Sequence, residues 1–225
     1  MFSIVIPSRK ITNLIPCVEA IRDAGETAQI VVVWDGSSKA SYIAFDLLNE
    51  VKSVVVLNGK APFIFARNVN IGICAAEDND VIVLNDDAFL KTPMGFTKLA
   101  ETSQEHPEFG VLATACTSVG NPHQRAAFGS ALREDPRMVC FVAVYIPRST
   151  INKVGLLDED YTGYGCDDDD YCYRTRKAGL KIGILGSVIV DHHDELSSFR
   201  GDPNNLPTIR PCVEIFKRKH GAYPL

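Results

Sequence analysis

The sequence predicts an α/β fold built on a mostly parallel central sheet with helices on both faces. Two observations carry that expectation. Short apolar, β-branched runs alternate with helix-spaced segments over the first ~90 residues, the pattern that right-handed strand–helix–strand crossovers leave in a sequence. Each apolar run then ends in a polar or glycine-bearing loop, which is where open α/β sheets place their ligands.

The elements follow in order. Phe2 to Ile6 reads as a buried strand, stopped by Pro7-Ser8-Arg9. Leu14, Val18 and Ile21 share one face of a helix expected from about Leu14 to Ala24, with Gly25 as its stop. Gln29 to Trp34 is a second strand, running into Asp35-Gly36-Ser37-Ser38, and a helix is expected around Ala40 to Glu50. Val54 to Leu57 is a third strand, ending at Asn58-Gly59. Ala66 to Ala76 reads as a helix leading into the strand Val81-Ile82-Val83-Leu84.

The second half is less regular. Phe109 to Ala115 and Cys140 to Ile146 have strand character. Between them, Thr117 to Arg137 is polar and rich in Gly, Pro and Arg, and is expected to be a long loop, a candidate acceptor contact or lid. A helix is expected from about Asp170 to Ala178, stopped by Gly179, followed by short strands at Ile182 to Leu185 and Val188 to Val190. No internal repeat, linker or low-complexity tract interrupts the chain, so one domain over residues 1–225 is expected.

Composition narrows the functional classes. Of 225 residues, 46% are hydrophobic and 23% charged, as in an ordinary soluble globular domain. A net charge of −5 argues against a broad electrostatic grip on nucleic acid. The 7 cysteines are scattered and form no Cys-x-x-Cys pair, which favours neither a disulfide framework nor a zinc site and suits a reducing compartment. No apolar run approaches the ~20 residues a bilayer span needs, and no leader precedes the first strand; a cytoplasmic protein is expected.

Three constellations carry chemistry. Asn85-Asp86-Asp87 ends a buried strand with two carboxylates, oxygen ligands of the kind that suit Mg²⁺ or Mn²⁺ when a diphosphate completes the shell. A strand-ending turn explains the same triplet equally well. Gly163-Tyr164-Gly165-Cys166 precedes Asp167-Asp168-Asp169-Asp170, adjacent carboxylates that repel one another and raise at least one pKa unless a cation or helix N-terminus compensates. One helix cap accounts for one aspartate of the run, and a carboxylate so placed can act as a general base. His192-His193 ends another strand, where adjacent side chains point to opposite faces and one at most reaches a given site. A dinucleotide fingerprint, a phosphate-binding Gly-x-x-x-x-Gly-Lys-Ser/Thr loop and a Gly-x-Ser-x-Gly elbow are all missing from the sequence.

With these residues in view, the chain resembles the inverting, metal-dependent family 2 glycosyltransferases of the Rossmann-like GT-A fold, over nearly its whole length. Ser3-Ile4-Val5-Ile6-Pro7-Ser8 is similar to the family's opening strand. Trp34-Asp35-Gly36-Ser37-Ser38 resembles its Asp-Asp-Gly-Ser motif, with Trp34 in place of the first aspartate. Asn58-Gly59 and Ala66-Arg67-Asn68 resemble elements near the nucleotide, and Asn85-Asp86-Asp87 matches the Asp-x-Asp position in its Asn-x-Asp form. Val154 to Glu159, Gly163-Tyr164-Gly165 and Asp167-Asp168-x-Asp170 are similar to the acceptor-side motifs, with Arg174, Lys177-Ala178-Gly179 and Phe216 to Gly221 resembling the segments that follow.

The resemblance implies a nucleotide-sugar half over residues 1–90 and an acceptor half over 91–225. It implies Mn²⁺ or Mg²⁺ on Asp87 with His192, or His193 in its place. The donor, with a UDP-sugar favoured, would meet Pro7, Ser8, Arg9, Asp35, Asn58, Gly59, Arg67, Asn85 and Asp86. Asp168 takes the position of the catalytic base, and Tyr164, Asp167 and Asp170 would bind a hydroxyl-bearing acceptor: a glycan, a lipid-linked saccharide, a protein or a modified nucleobase. A sugar-nucleotide nucleotidyltransferase and a non-catalytic nucleotide-sugar or carbohydrate-binding module are the alternatives. The first would carry a glycine-rich loop where Pro7-Ser8-Arg9 stands, and the second has no need of Asp168.

Overall fold

A computed structural model describes residues 1–35, 53–196, 209–221 and 223–224. The expected helix over 40–50 and the motif residues Gly36, Ser37 and Ser38 lie outside the described residues, as does 197–208.

The strands are β1 (Phe2–Ser8), β2 (Gln29–Trp34), β3 (Val54–Asn58), β4 (Asp80–Leu84), β5 (Ala88–Leu90), β6 (Phe109–Cys116), β7 (Leu132–Glu134), β8 (Ala143–Ile146) and β9 (Lys181–His192). The helices are α1 (Ile11–Asp23), α2 (Phe65–Ala75), α3 (Gly95–Glu105), α4 (Arg148–Val154), α5 (Asp167–Lys177) and α6 (Ile209–His220). All strands join one sheet in the order β3-β2-β1-β4-β8-β6-β9-β5, with β7 paired to β9.

The first half is parallel, as the crossovers require. Ser8 lies opposite Trp34 and Trp34 opposite Asn58, so β1, β2 and β3 stop level with one another. The second half departs from the expected parallel arrangement. β8 pairs antiparallel with β4 and β6, and β5 and β7 both run antiparallel to β9. The sheet as a whole is therefore mixed, with antiparallel β8 set between β4 and β6.

Alternation along each buried strand divides two cores. Ile4, Ile6, Ile30, Val32, Ile82 and Leu84 face one side, against Leu14, Val18 and Ile21 of α1 and Phe96 and Leu99 of α3. Val5, Val31, Val33, Val81 and Val83 face the other, against Val69 and Ile73 of α2 and Tyr171 and Cys172 of α5. At Gly72 the α2 backbone comes so near the sheet that a Cβ would sit 2.2 Å from Val5 Cγ1.

β9 runs unbroken where two short strands were expected. A register shift opposite Thr114 and Ala115 absorbs Gly186, Ser187 and Val188, the first two of which interrupt the apolar pattern. The expected long loop over 117–137 is also more ordered than its composition suggests. It holds two short 3-10 turns and β7, and Gln124 is buried with its amide bonded to both the N–H and the C=O of Cys140. This arm crosses β9 at Gly186, where a Cβ would lie 1.9 Å from the Gly129 carbonyl oxygen.

Candidate active site

The strand ends converge on a cavity of about 370 Å³. Pro7, Ser8, Arg9, Asn85, Asp86, Asp87, Tyr164, Asp167, Asp168 and His192 all line it. One wall is therefore the carboxyl edge of β1 and β4, and the opposite wall is the loop into α5 and the first turn of that helix.

Pairing of β5 with β9 builds the first centre. Ala88 lies opposite His192, and the His193 N–H donates to the Asp87 carbonyl at 3.0 Å, so Asp87 is carried to the end of β9. The His192 Nδ1 is 2.7 Å from the Ser118 carbonyl oxygen, a contact that requires the proton on Nδ1. The other ring nitrogen, Nε2, lies 3.5 Å from Asp87 Oδ1. That carboxylate oxygen is buried and has no hydrogen-bond partner. A buried carboxylate oxygen without a hydrogen-bond donor is unfavourable unless positive charge, an imidazolium or a metal ion, lies against it, and carboxylate and imidazole are both ligand types for Mn²⁺. The residues present fit a divalent metal. Among the described residues no cluster of three or more His, Cys, Asp or Glu offers a full protein cage. This pattern suits an ion that takes its remaining ligands from substrate phosphate and water.

Asp86 supports that turn. Its Oδ2 accepts from Ser8 Oγ at 2.6 Å, tying β1 to the end of β4. Burial pushes its pKa up to about 6, against the lowering effect of the Ser8 bond and with the Asp87 charge adding to the rise. Beside it, the Arg9 guanidinium lies over the Phe63 ring at 5.4 Å, and Phe63 and Phe65 line the same end of the cavity.

The second centre is the start of α5. Gly165 and Cys166 both have positive φ, 85° and 70°, and this tight reversal aims the first helical turn into the cavity. Asp167, Asp168 and Asp169 line it. Asp168 Oδ1 accepts from the Asp169 N–H at 2.9 Å. Burial raises the pKa of both Asp167 and Asp168; for Asp167 the neighbouring Asp168 charge adds to it, and for Asp168 backbone N–H donors work against it. The helix N-terminus helps to hold this charge.

Several expected site residues stand elsewhere. Asp170 is fully buried, and its carboxylate meets Tyr161, Arg174 and His220, which leaves it no part in binding a ligand from the cavity. Arg67 pairs with Glu159 at 3.3 Å and does not line the cavity. His193 turns outward to Glu195 at 2.8 Å and Asp191 at 3.3 Å, so its neighbour His192 is the histidine that reaches Asp87. Asp35, Asn58 and Gly59 lie at the ends of β2 and β3 and do not line the cavity. The Asp35 N–H bonds Ser8 O at 2.9 Å and the Gly59 N–H bonds Trp34 O at 2.7 Å. Burial raises the Asp35 pKa and Arg9 lowers it in part, with a net rise.

Sequence reasoning missed Phe63, Phe65, Met138 and Phe141 as cavity residues. Phe63-x-Phe65 at the entry to α2 was the local signal, and aromatic residues there are equally consistent with core packing.

No protein-family model matches the chain, and no curated protein matches it in sequence. Solved structures do. GalNAc-T7 with UDP, GalNAc and Mn²⁺ superposes with a TM-score of 0.74 at 15% identity, over 96% of this chain and 48% of that one. The mannosyltransferase PcManGT from Pyrobaculum calidifontis, in complex with GDP-Man and Mn²⁺, gives 0.73 at 13% identity, over 99% and 65%. S. aureus TarS gives 0.64 at 13% identity, over 96% and 65%. The chain thus spans between about half and two-thirds of the length of these matches. At such identities the likeness shows the fold, and the fold of this chain is that of the GT-A glycosyltransferases.

Proposed function

We propose that this protein is a metal-dependent inverting glycosyltransferase, moving a sugar from a nucleotide-sugar, a UDP-sugar foremost, to a hydroxyl acceptor. The observation that carries the reading is the pairing of two centres in one cavity: the orphaned Asp87 carboxylate with His192 on one wall, and Asp168 on the other. The fold neighbours bound to UDP or GDP-Man with Mn²⁺ support it.

Asp87 and His192 would hold Mn²⁺ or Mg²⁺. Such an ion, when bound, offsets charge on a departing diphosphate. Ser8, Arg9, Asn85 and Asp86 border the donor end, and Arg9 with Phe63 offers a cationic and aromatic surface there. Asp168 is the base. Its raised pKa brings it nearer the working pH, where a carboxylate accepts an acceptor hydroxyl proton more effectively. Tyr164 and Asp167 border the acceptor end.

The test is a donor hydrolysis screen with purified protein, Mn²⁺ and a panel of UDP-, GDP- and dTDP-sugars, reading released nucleotide. Release from one donor, abolished by EDTA and by Asp87→Ala, is the expected result. Silence across the panel, together with metal-dependent nucleotide binding by calorimetry, would leave a non-catalytic binding module and overturn the enzymatic reading.

A further inference from the structure

One buried carboxylate beside the proposed base is left unused by the reaction. Asp170 belongs to the same first turn of α5 as Asp167, Asp168 and Asp169, yet it faces the protein interior with 0% exposure. Its Oδ2 accepts from Arg174 Nε at 2.7 Å, and its Oδ1 accepts from the Tyr161 hydroxyl at 3.2 Å. The third partner comes from the far end of the chain. His220 Nε2 lies 2.7 Å from Asp170 Oδ1, a distance that places the proton on Nε2.

His220 is in the last turn of α6, and its ring packs between Tyr173 and Phe216, at 4.3 Å and 4.6 Å between ring centroids. The same helix reaches the other side of the tight reversal. Cys212 and Phe216 form a small core with Tyr161 and Cys166, and Lys219 pairs with Asp158 and, at 2.6 Å, with Asp160. The reversal at Gly165 and Cys166 is a conformation that surroundings must hold, since Cys166 is a non-glycine residue at positive φ. A helix some fifty positions downstream supplies those surroundings (|i−j| = 50 for His220 and Asp170).

We propose that His220 is a positioning residue: through its hydrogen bond to Asp170 it pins α6 to the first turn of α5 and so fixes Asp167, Asp168 and Asp169 in the cavity. The catalytic consequence rests on the glycosyltransferase reading; the structural consequence does not.

Two variants of the full chain test this. His220→Phe keeps a ring between Tyr173 and Phe216 but has no donor, and His220→Gln keeps an N–H donor of similar reach. Amide hydrogen exchange is followed over residues 163–170, with β1 and β4 as internal controls, and donor turnover is measured beside nucleotide binding by calorimetry with Mn²⁺. In His220→Phe, exchange over 163–170 should rise about tenfold while β1 and β4 stay protected. The kcat should fall about 100-fold with nucleotide affinity and donor KM unchanged, as for a misplaced catalytic group. His220→Gln should recover most of both. Wild-type exchange and kcat in His220→Phe would overturn the proposal. So would exchange that rises across the whole sheet, or a His220→Gln variant as impaired as His220→Phe. If the wild-type protein turns over no donor, the glycosyltransferase reading fails, and the exchange pattern alone decides the role of His220.

Discussion

His192 Nε2 and Asp87 Oδ1 face each other across 3.5 Å, with the ring held by the Nδ1–H bond to the Ser118 carbonyl. The two residues are far apart in sequence and meet because β5 pairs antiparallel with β9. Asp87 Oδ1 is buried without a hydrogen-bond partner, and a divalent cation between it and His192 would satisfy both.

Removing either side of this pair should therefore weaken metal-dependent nucleotide binding. Asp87→Ala should abolish it. His192→Ala should weaken it by at least the 10–100-fold that loss of a group merely orienting a metal ligand produces. Calorimetric titration of UDP or GDP with and without Mn²⁺ reads both, and unchanged binding in His192→Ala would remove it from the ligand set.

Asp168→Asn should lower kcat by about 10²–10⁴-fold, the range for loss of a general base, with nucleotide affinity unchanged. Tyr164, Asp167 and Asp169 share the cavity, so an Asp168→Asn enzyme with near-normal turnover would transfer the role to one of its neighbours.

The acid limb of kcat/KM should lie above the ordinary aspartate range. Burial raises the Asp168 pKa, so the group stays protonated at a pH where a free aspartate is ionised, and activity grows only as pH rises through the elevated value. A pH–rate profile with its acid limb near ~4, the value of an unperturbed aspartate, would contradict this.

The same burial sets a stability trend. Asp167 holds its proton more tightly folded than unfolded, so the folded state binds more protons between the unfolded and folded pKa values, and stability falls as pH rises through that window. Asp167→Asn should raise the melting temperature at pH ~8 and leave it nearly unchanged at pH ~3, where the unfolded carboxyl also is largely protonated. Thermal unfolding of metal-free protein at the two pH values makes the comparison. A gain of equal size at both would point to packing in place of charge.

Gly186→Ala should destabilise the protein by about 1–3 kcal/mol, the usual penalty for overpacking. The added Cβ would meet backbone at Gly129, which a rotamer change cannot relieve. Urea unfolding gives the magnitude, and limited proteolysis should show cleavage within 118–138 before the rest of the chain.

The legible part of this protein was local. Val81 to Leu84, Phe2 to Ile6 and Gln29 to Trp34 read as strands because β-branched runs between turn residues have few other uses. β5 and β7 were invisible, since three residues carry no periodicity and their pairing is with β9, far along the chain. The start of α5 was placed a turn late because Asp167, Asp168 and Asp169 have little helix propensity, and the helix is fixed by what Tyr171 and Cys172 bury behind it.

By itself the sequence determined the α/β class, the parallel first half of the sheet, and which residue types stand at its strand ends. Periodicity and turn chemistry act over a few residues, and those features follow from them. Tertiary structure decided what each candidate does. Asp168 lines the cavity and Asp170 does not, although both lie in one turn of one helix, because His220 and Arg174 claim Asp170 from behind. Arg67 is held by Glu159, 92 positions away, and His192, the last residue of β9, reaches Asp87 while His193 just beyond it turns to Asp191 and Glu195. These are contacts between distant segments, and no local pattern records which segment will pack beside which.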